Sequence, residues 1–272
     1  MIPLAHTGAE KVLGIIGDPV RQVKSPAIFE DYFRAGGINA VMVPLHVGSS
    51  DFQKVVEGLR SVKNFGGAII TIPHKHEAYK VARVRSPMVQ KTEMANVLAP
   101  VGDDQWSAEL FDGVGLINAL QKRNITTAGK RALVIGAGGA GTAIAVALQQ
   151  LGDVMSLGIA DIDRQKAERL VLKLDNAESV EPNPENYQLV VNATPVGMNS
   201  DEIPADTSRI LPGTIVCDAI MDPAKTRFLL ESEQNGCIIV EGMEMLLGQV
   251  EPIARFLGLL SGSAPADAGI EQ

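Results

Sequence analysis

Three glycines offer the first chemistry in this chain of 272 residues. Gly136, Gly138 and Gly141 are spaced G-x-G-x-x-G between the apolar run Ala132-Leu-Val-Ile135 and a helix-like stretch that starts at Thr142. One glycine makes a strand-to-helix turn, the second lets backbone approach a pyrophosphate, and the third packs helix on strand, with the anion resting on helix N–H groups. Glycine clusters also make ordinary turns in unrelated α/β proteins, so the flanks decide. A second apolar run, 154–160, ends at Asp161, about twenty residues past the last glycine, where an acid can hold a ribose hydroxyl. The turn Gly136-Ala137-Gly138-Gly139-Ala140-Gly141 with Asp161 and Ile162 therefore predicts a dinucleotide site.

Ligands of doubly wound sheets bind beyond the carboxyl ends of strands, so polar residues just after strand-like runs are the next candidates. These are Lys24-Ser25-Pro26, Thr71-Ile-Pro-His-Lys75, Asn96 and Asp112. Each also has a plain structural reading: Ser25 as a helix cap, Lys75 as a solvated charge, Asn96 as a turn residue, Asp112 as a cap.

The elements that must position these residues alternate between strand-like and helix-like runs from end to end, which favours parallel βαβ units. Strands are expected at 12–17, 40–45, 67–73, 154–160, 189–194, 214–220 and 237–240. Ser25 and Pro26 should open a helix as N-cap and first-turn proline, with Phe29, Tyr32 and Phe33 on one face and an end at Gly36-Gly37. Residues 51–62 read as a second amphipathic helix through Phe52, Val55, Val56 and Leu59. The expectation is an α/β protein with an N-terminal α/β domain, 1–111, and a C-terminal Rossmann domain with a doubly wound parallel sheet, 112–242. A helix over 243–260 should return to the first domain, and 261–272 should form a flexible tail.

Composition narrows the function classes. The formal charge is −8, with 24 Lys and Arg against 32 Asp and Glu, and no basic stripe supports nucleic-acid binding. No apolar run is long enough to span a bilayer, and the first ten residues lack the pattern of a signal peptide, which points to the cytoplasm and no membrane partner. Cys217 and Cys237 lie in strand-like runs and read as buried free thiols. His6, His46, His74 and His76 offer no closed ligand set, so no metal is expected. His74 and His76 flank Lys75, either tuning it or standing as exposed loop histidines.

Lys24-Ser25-Pro26, Thr71-Ile-Pro-His-Lys75, Ala95-Asn96, Asp112-Gly-Val-Gly, Gly136-Ala-Gly-Gly, Asn192-Ala-Thr-Pro and Gly242-x-x-Met245-x-x-x-Gln249, in that order, resemble the shikimate/quinate dehydrogenase family over about residues 13–257. The resemblance implies a first domain that holds a hydroxylated cyclic carboxylate and a second that holds a nicotinamide dinucleotide facing it. It makes Lys75 and Asp112 the catalytic pair, a role for which a lysine oriented by a carboxylate is chemically suited. Asn96, Asp112 and Gln249 would bind ring hydroxyls, with Ser25 and Thr71 nearer the carboxylate. Asn192, Ala193, Thr194, Pro195, Ala219, Gly242 and Met245 would approach the cofactor, although a methionine in a Leu-rich helix also reads as core filler.

The departures from the family pattern concern cofactor and substrate. NADP-using members tend to carry Asn-Arg-Thr after the second nucleotide-domain strand, whereas this chain has Asp161-Ile162-Asp163, which favours NAD because a carboxylate repels a 2′-phosphate. Arg164 and Lys166 lie close enough to weaken that preference, and Asp163 has a plain reading as a helix cap. Val23 replaces a usual serine, Phe111 stands where Asn-Thr-Asp-Gly is usual, and Met221 replaces a usual tyrosine. The expected activity is therefore an NAD-dependent oxidoreductase on a ring hydroxyl of a shikimate- or quinate-like alicyclic acid or polyol, with an altered carboxylate pocket. The expected assembly is a monomer or homodimer. A non-catalytic NAD-binding regulator on the same fold, and tetrahydrofolate oxidation, are the rival readings.

Overall fold

The computed structural model describes residues 8–102 and 104–260; the expected tail over 261–272 lies outside them. The chain divides into two compact units, one running to Phe111 and resuming at Val250, the other from Asp112 to Gln249.

The first unit contains β1 (Lys11–Gly17), α1 (Ser25–Gly36), β2 (Ala40–His46), α2 (Phe52–Leu59), β3 (Phe65–Ile70), α3 (Lys75–Val81), β4 (Val84–Arg85), α4 (Pro87–Thr92), β5 (Val97–Val101) and β6 (Gln105–Glu109). Its sheet has the order β2-β1-β3-β5-β6-β4. β1 pairs in parallel with β2 and β3, but β5 runs antiparallel to both β3 and β6, which corrects the expectation of parallel βαβ units throughout. The short β5–β6 hairpin turns at Gly102, whose φ of 58° suits glycine. The core gathers Leu13, Ile15, Phe29, Phe33, Ile69 and Val97.

Helix α1 corrects a detail of the sequence reading. Its N-cap is Lys24, without a side-chain cap bond, and Ser25 is already helical and buried. Pro26 sits in the first turn, where a missing N–H costs nothing, and Gly37 ends the helix in the left-handed conformation.

The second unit contains α5 (Asp112–Lys122), β7 (Arg131–Ile135), α6 (Gly139–Gln150), β8 (Ser156–Ala160), α7 (Arg164–Val171), β9 (Ala177–Ser179), β10 (Leu189–Asn192), β11 (Ile215–Asp218), α8 (Arg227–Gln234) and β12 (Ile238–Val240). The helix α9 (Gly242–Phe256) begins here and crosses the unit boundary after Gln249. The sheet is parallel throughout, in the order β12-β11-β10-β7-β8-β9. Counted from β7, that is the doubly wound order 3-2-1-4-5-6, with its topological switch between β7 and β10. Buried runs such as Ala132-Leu-Val-Ile135 and Leu189-Val-Val are what a strand covered on both faces requires.

Candidate active site

In the first unit, Thr71, Lys75 and Asn96 share one end of the sheet. Thr71 follows β3 and donates its N–H to Ile16 O at 2.9 Å, beside the carboxyl end of β1. Its own carbonyl accepts from His74 N, and α3 then starts at Lys75. The Lys75 carbonyl takes the Ala95 N–H at 2.9 Å, and the Asn96 carbonyl takes the Ile70 N–H at 2.7 Å. The backbones of both residues are thus tied to the end of β3. Asn96 is buried, and its Oδ1 accepts from Phe111 N at 2.7 Å, fixing the chain one residue before Asp112.

His74 corrects the reading of an exposed loop histidine. It is wholly buried, stacked on Phe52 at 4.7 Å between ring centroids, with Nε2 2.6 Å from Val47 O. A bond to a carbonyl makes Nε2 a protonated nitrogen; Nδ1 has no hydrogen-bond partner among the described residues. His76 is exposed, its Nδ1 2.9 Å from Glu93 O.

The two departures in this unit share one apolar neighbourhood. Val23 and Phe111 both pack on the core cluster of Leu13, Phe29 and Phe33, as Ile28 and Tyr32 do, and Phe111 meets Phe256 edge-on at 5.8 Å.

In the second unit the glycine turn sits at the switch point. Gly136 has φ 103°, and a Cβ there would press 2.9 Å from Ala193 O, so only glycine lets the turn pass β10. Gly138 is the N-cap of α6, exposed, and a Cβ on it would point into open space, leaving backbone available to a ligand. The first-turn N–H groups of Gly139, Ala140 and Gly141 have no intrahelical acceptor, as at any helix start. The Asp161 carboxylate accepts Ala137 N at 2.7 Å and Asp163 N at 2.8 Å, one on each oxygen. Each oxygen keeps a second lone pair, so the acid can brace the turn and still accept ribose hydroxyls. Ile162 beside it is fully exposed. Asp163 caps α7 through Gln165 N, and Arg164 pairs with Glu168 at 3.0 Å along that helix. A dinucleotide, with its pyrophosphate on the turn and ribose at Asp161, fits this set.

Asn192, expected near the cofactor, devotes its side chain to the fold. Its Nδ2 bonds Val196 O and both oxygens of Asp218, while its Oδ1 accepts Thr194 N and Oγ1. Asp218 also accepts from Ile220 N and Thr226 Oγ1. Burial holds its carboxyl above the usual range despite these bonds. This Asn192–Asp218–Thr226 lattice shapes the loop through Ala193, Thr194 and Pro195; neither Asp218 nor Thr226 was singled out as a site residue from sequence. Ala219 N donates to Asn192 O at 2.9 Å, which ties that residue to the same lattice. Met221 is half-buried, one residue before the Asp222-Pro223 bond.

Helix α5 is gripped on two sides. A Cβ at Gly113 would strike Ala147 on α6 at 2.5 Å, and one at Gly115 would strike Gln249 Cγ at 2.5 Å. Asn118 Nδ2 reaches Gly248 O at 2.9 Å. Asp112, the first residue of α5, and the buried Met245 and Gln249 of α9 are thereby fixed relative to the glycine turn. Gly242 packs against the Ile220 backbone where α9 begins. Cys217 is buried, which pushes its thiol well up, whereas Cys237 is only partly buried; both are free.

Residues 15–98 match the family described as the shikimate dehydrogenase substrate binding domain. The chain is 33% identical over 261 residues to the shikimate dehydrogenase (NADP(+)) of Maricaulis maris, covering 93% of this chain and 90% of that one. The chain belongs to the shikimate dehydrogenase family. Among solved structures of that family, it is similar to the Listeria monocytogenes shikimate 5-dehydrogenase in complex with shikimate and NAD, at TM-score 0.86 and 26% identity, covering 94% of each chain. It is likewise similar to the Thermus thermophilus enzyme in complex with NADP(H) and shikimate, at TM-score 0.84 and 27% identity, covering 93% of this chain and 95% of that one. The Maricaulis relative is named for NADP(+), so the family does not by itself carry the expectation of NAD.

Proposed function

We propose that this protein is a nicotinamide-dependent dehydrogenase acting on a ring hydroxyl of a shikimate- or quinate-like alicyclic compound, with NAD preferred and with weakened recognition of the ring carboxylate. The observation that carries the reading is the gathering of Thr71, Lys75 and Asn96 at one sheet end, in a family member whose other unit has the nucleotide turn. Gly136, Gly138, Gly141 and Asp161 would hold the dinucleotide, whose nicotinamide would supply or take up the hydride. Lys75 handles the proton: its Nζ takes it from the hydroxyl as the alcohol becomes a ketone and returns it in the reverse direction. Asp112 holds the lysine in orientation and, with Asn96 and Gln249, accepts or donates hydrogen bonds to neighbouring ring hydroxyls. Ser25 and Thr71 bind at the carboxylate end. A site that pairs several hydroxyls rejects analogues lacking one, since a buried polar partner is then stranded.

NAD preference rests on Asp161, whose carboxylate would repel a 2′-phosphate, and is supported by the pairing of Arg164 with Glu168 along α7. Weakened acid recognition rests on Val23 and Phe111 in their apolar cluster. Steady-state kinetics with NAD and NADP, on shikimate, quinate and carboxylate-free cyclic polyols, test each part. The expected result is a kcat/KM at least about tenfold higher with NAD, a difference of about 1.4 kcal/mol, and a high KM for shikimate. Equal use of the two cofactors removes the NAD assignment; efficient shikimate turnover at low concentration removes the altered pocket. Tight cofactor binding without turnover of any substrate would replace the enzyme reading with that of a regulator.

A further inference from the structure

A second site lies in the first unit, away from the sheet end that holds Thr71, Lys75 and Asn96. A cleft of about 670 Å³ opens among the C-terminal end of α2, α3, β4 and the start of β6. Four cationic side chains line it, Arg60, Lys80, Arg83 and Arg85, against two carboxylates, Glu57 and Asp104, in a chain whose net charge is −8. Asp104 is committed to Arg60 at 2.5 Å, and Glu57 accepts from Gln53 at 2.9 Å. Lys80 pairs with Glu77 at 2.8 Å, and the Arg85 guanidinium lies 4.1 Å over the Tyr79 ring. Arg83 is exposed and has no ion pair among the described residues.

Trp106 also lines the cleft, beside Arg85. Guanidinium forks bind an oxyanion in a bidentate manner, and Arg83, exposed and outside any ion pair among the described residues, leaves one such fork open beside Arg60, Lys80 and Arg85. We propose that this cleft binds a compact oxyanion of charge −2 or greater, a phosphate or polycarboxylate group, at a site independent of the proposed reaction.

Trp106 is the only tryptophan of the chain, so its indole N–H resonance in a 1H–15N spectrum reports on this cleft alone. That readout matters because the glycine turn also attracts pyrophosphate. The full-length protein is titrated with inorganic pyrophosphate and with citrate, using sodium chloride at matched ionic strength as the control. The expected result is a saturable indole shift that chloride does not produce, weakened by about tenfold or more in Arg83→Glu, a substitution at an exposed residue, and also weakened in Arg60→Gln. A response to pyrophosphate alone assigns a phosphate ligand, and a response to citrate alone or to both assigns a polycarboxylate-tolerant site. No saturable shift, an equal shift with chloride, or an unchanged affinity in Arg83→Glu overturns the proposal.

Discussion

Lys75 stands at the first position of α3, with its carbonyl tied to Ala95 and its neighbour His74 locked between Phe52 and Val47. Its backbone is thus held before any substrate arrives, which is what an acid–base group needs. Lys75→Met should lower kcat by about 10²- to 10⁴-fold, with KM changed far less and the circular dichroism spectrum retained. An unchanged kcat would remove Lys75 from the chemistry. Val23→Ser tests the carboxylate end: restoring one charge-assisted bond should gain about 1.5–3 kcal/mol for shikimate, read as a KM lower by tenfold or more. The glycine turn and Asp161 were legible at this scale because their chemistry depends on sequence spacing. The burial of His74 was not, since it depends on where α2 places Phe52. Nor was the occupation of the Asn192 side chain, whose partner Asp218 lies 26 residues further along the chain and is itself held by Thr226.

Among the elements, α5 shows how backbone contact sets a site. Gly115 lets α9 lie close enough for Gln249 to share its surface, and Gly248 returns the same close approach from the other helix. Gly115→Val should destabilise the protein by about 1–3 kcal/mol in denaturant unfolding through overpacking. It should also raise KM for a hydroxylated substrate, because Gln249 is displaced. Unaltered stability would mean that the two helices do not meet there. Helices α1 and α2 and strands β7 and β8 were readable from periodicity and glycine punctuation. The strands β4, β5 and β6 and the helices α3 and α4 were not assigned from sequence. They are two to seven residues long, too short for a period to establish itself, and β5 pairs antiparallel with segments that no local pattern selects.

For the molecule as a whole, stability should depend on pH through its buried acids. Burial raises the carboxyl of Glu109, with the Ser86 hydroxyl and Leu110 N–H offsetting part of the rise. The folded chain then holds that proton more tightly than the unfolded chain, so this group subtracts stability as pH rises from the ordinary carboxylate range through the raised value. Glu109→Gln should therefore raise the midpoint of thermal unfolding at pH 7–8, and the gain should vanish below about pH 3, where both states are protonated. A gain independent of pH would show that packing, rather than ionisation, is responsible. By itself the sequence determined that the second unit is a parallel α/β sheet and where its glycine turn lies, while Lys75 and Asp112 were singled out as a pair through the family resemblance. The first two follow from glycine geometry and strand periodicity, which act over short spans. Only tertiary structure decided that Val23 and Phe111 share one apolar cluster, that Asn96 clamps Phe111, that Asn192 is spent on Asp218, and that four cations line one cleft. Those facts depend on which distant segments pack together, and the free energy of packing belongs to the pair rather than to either stretch of chain.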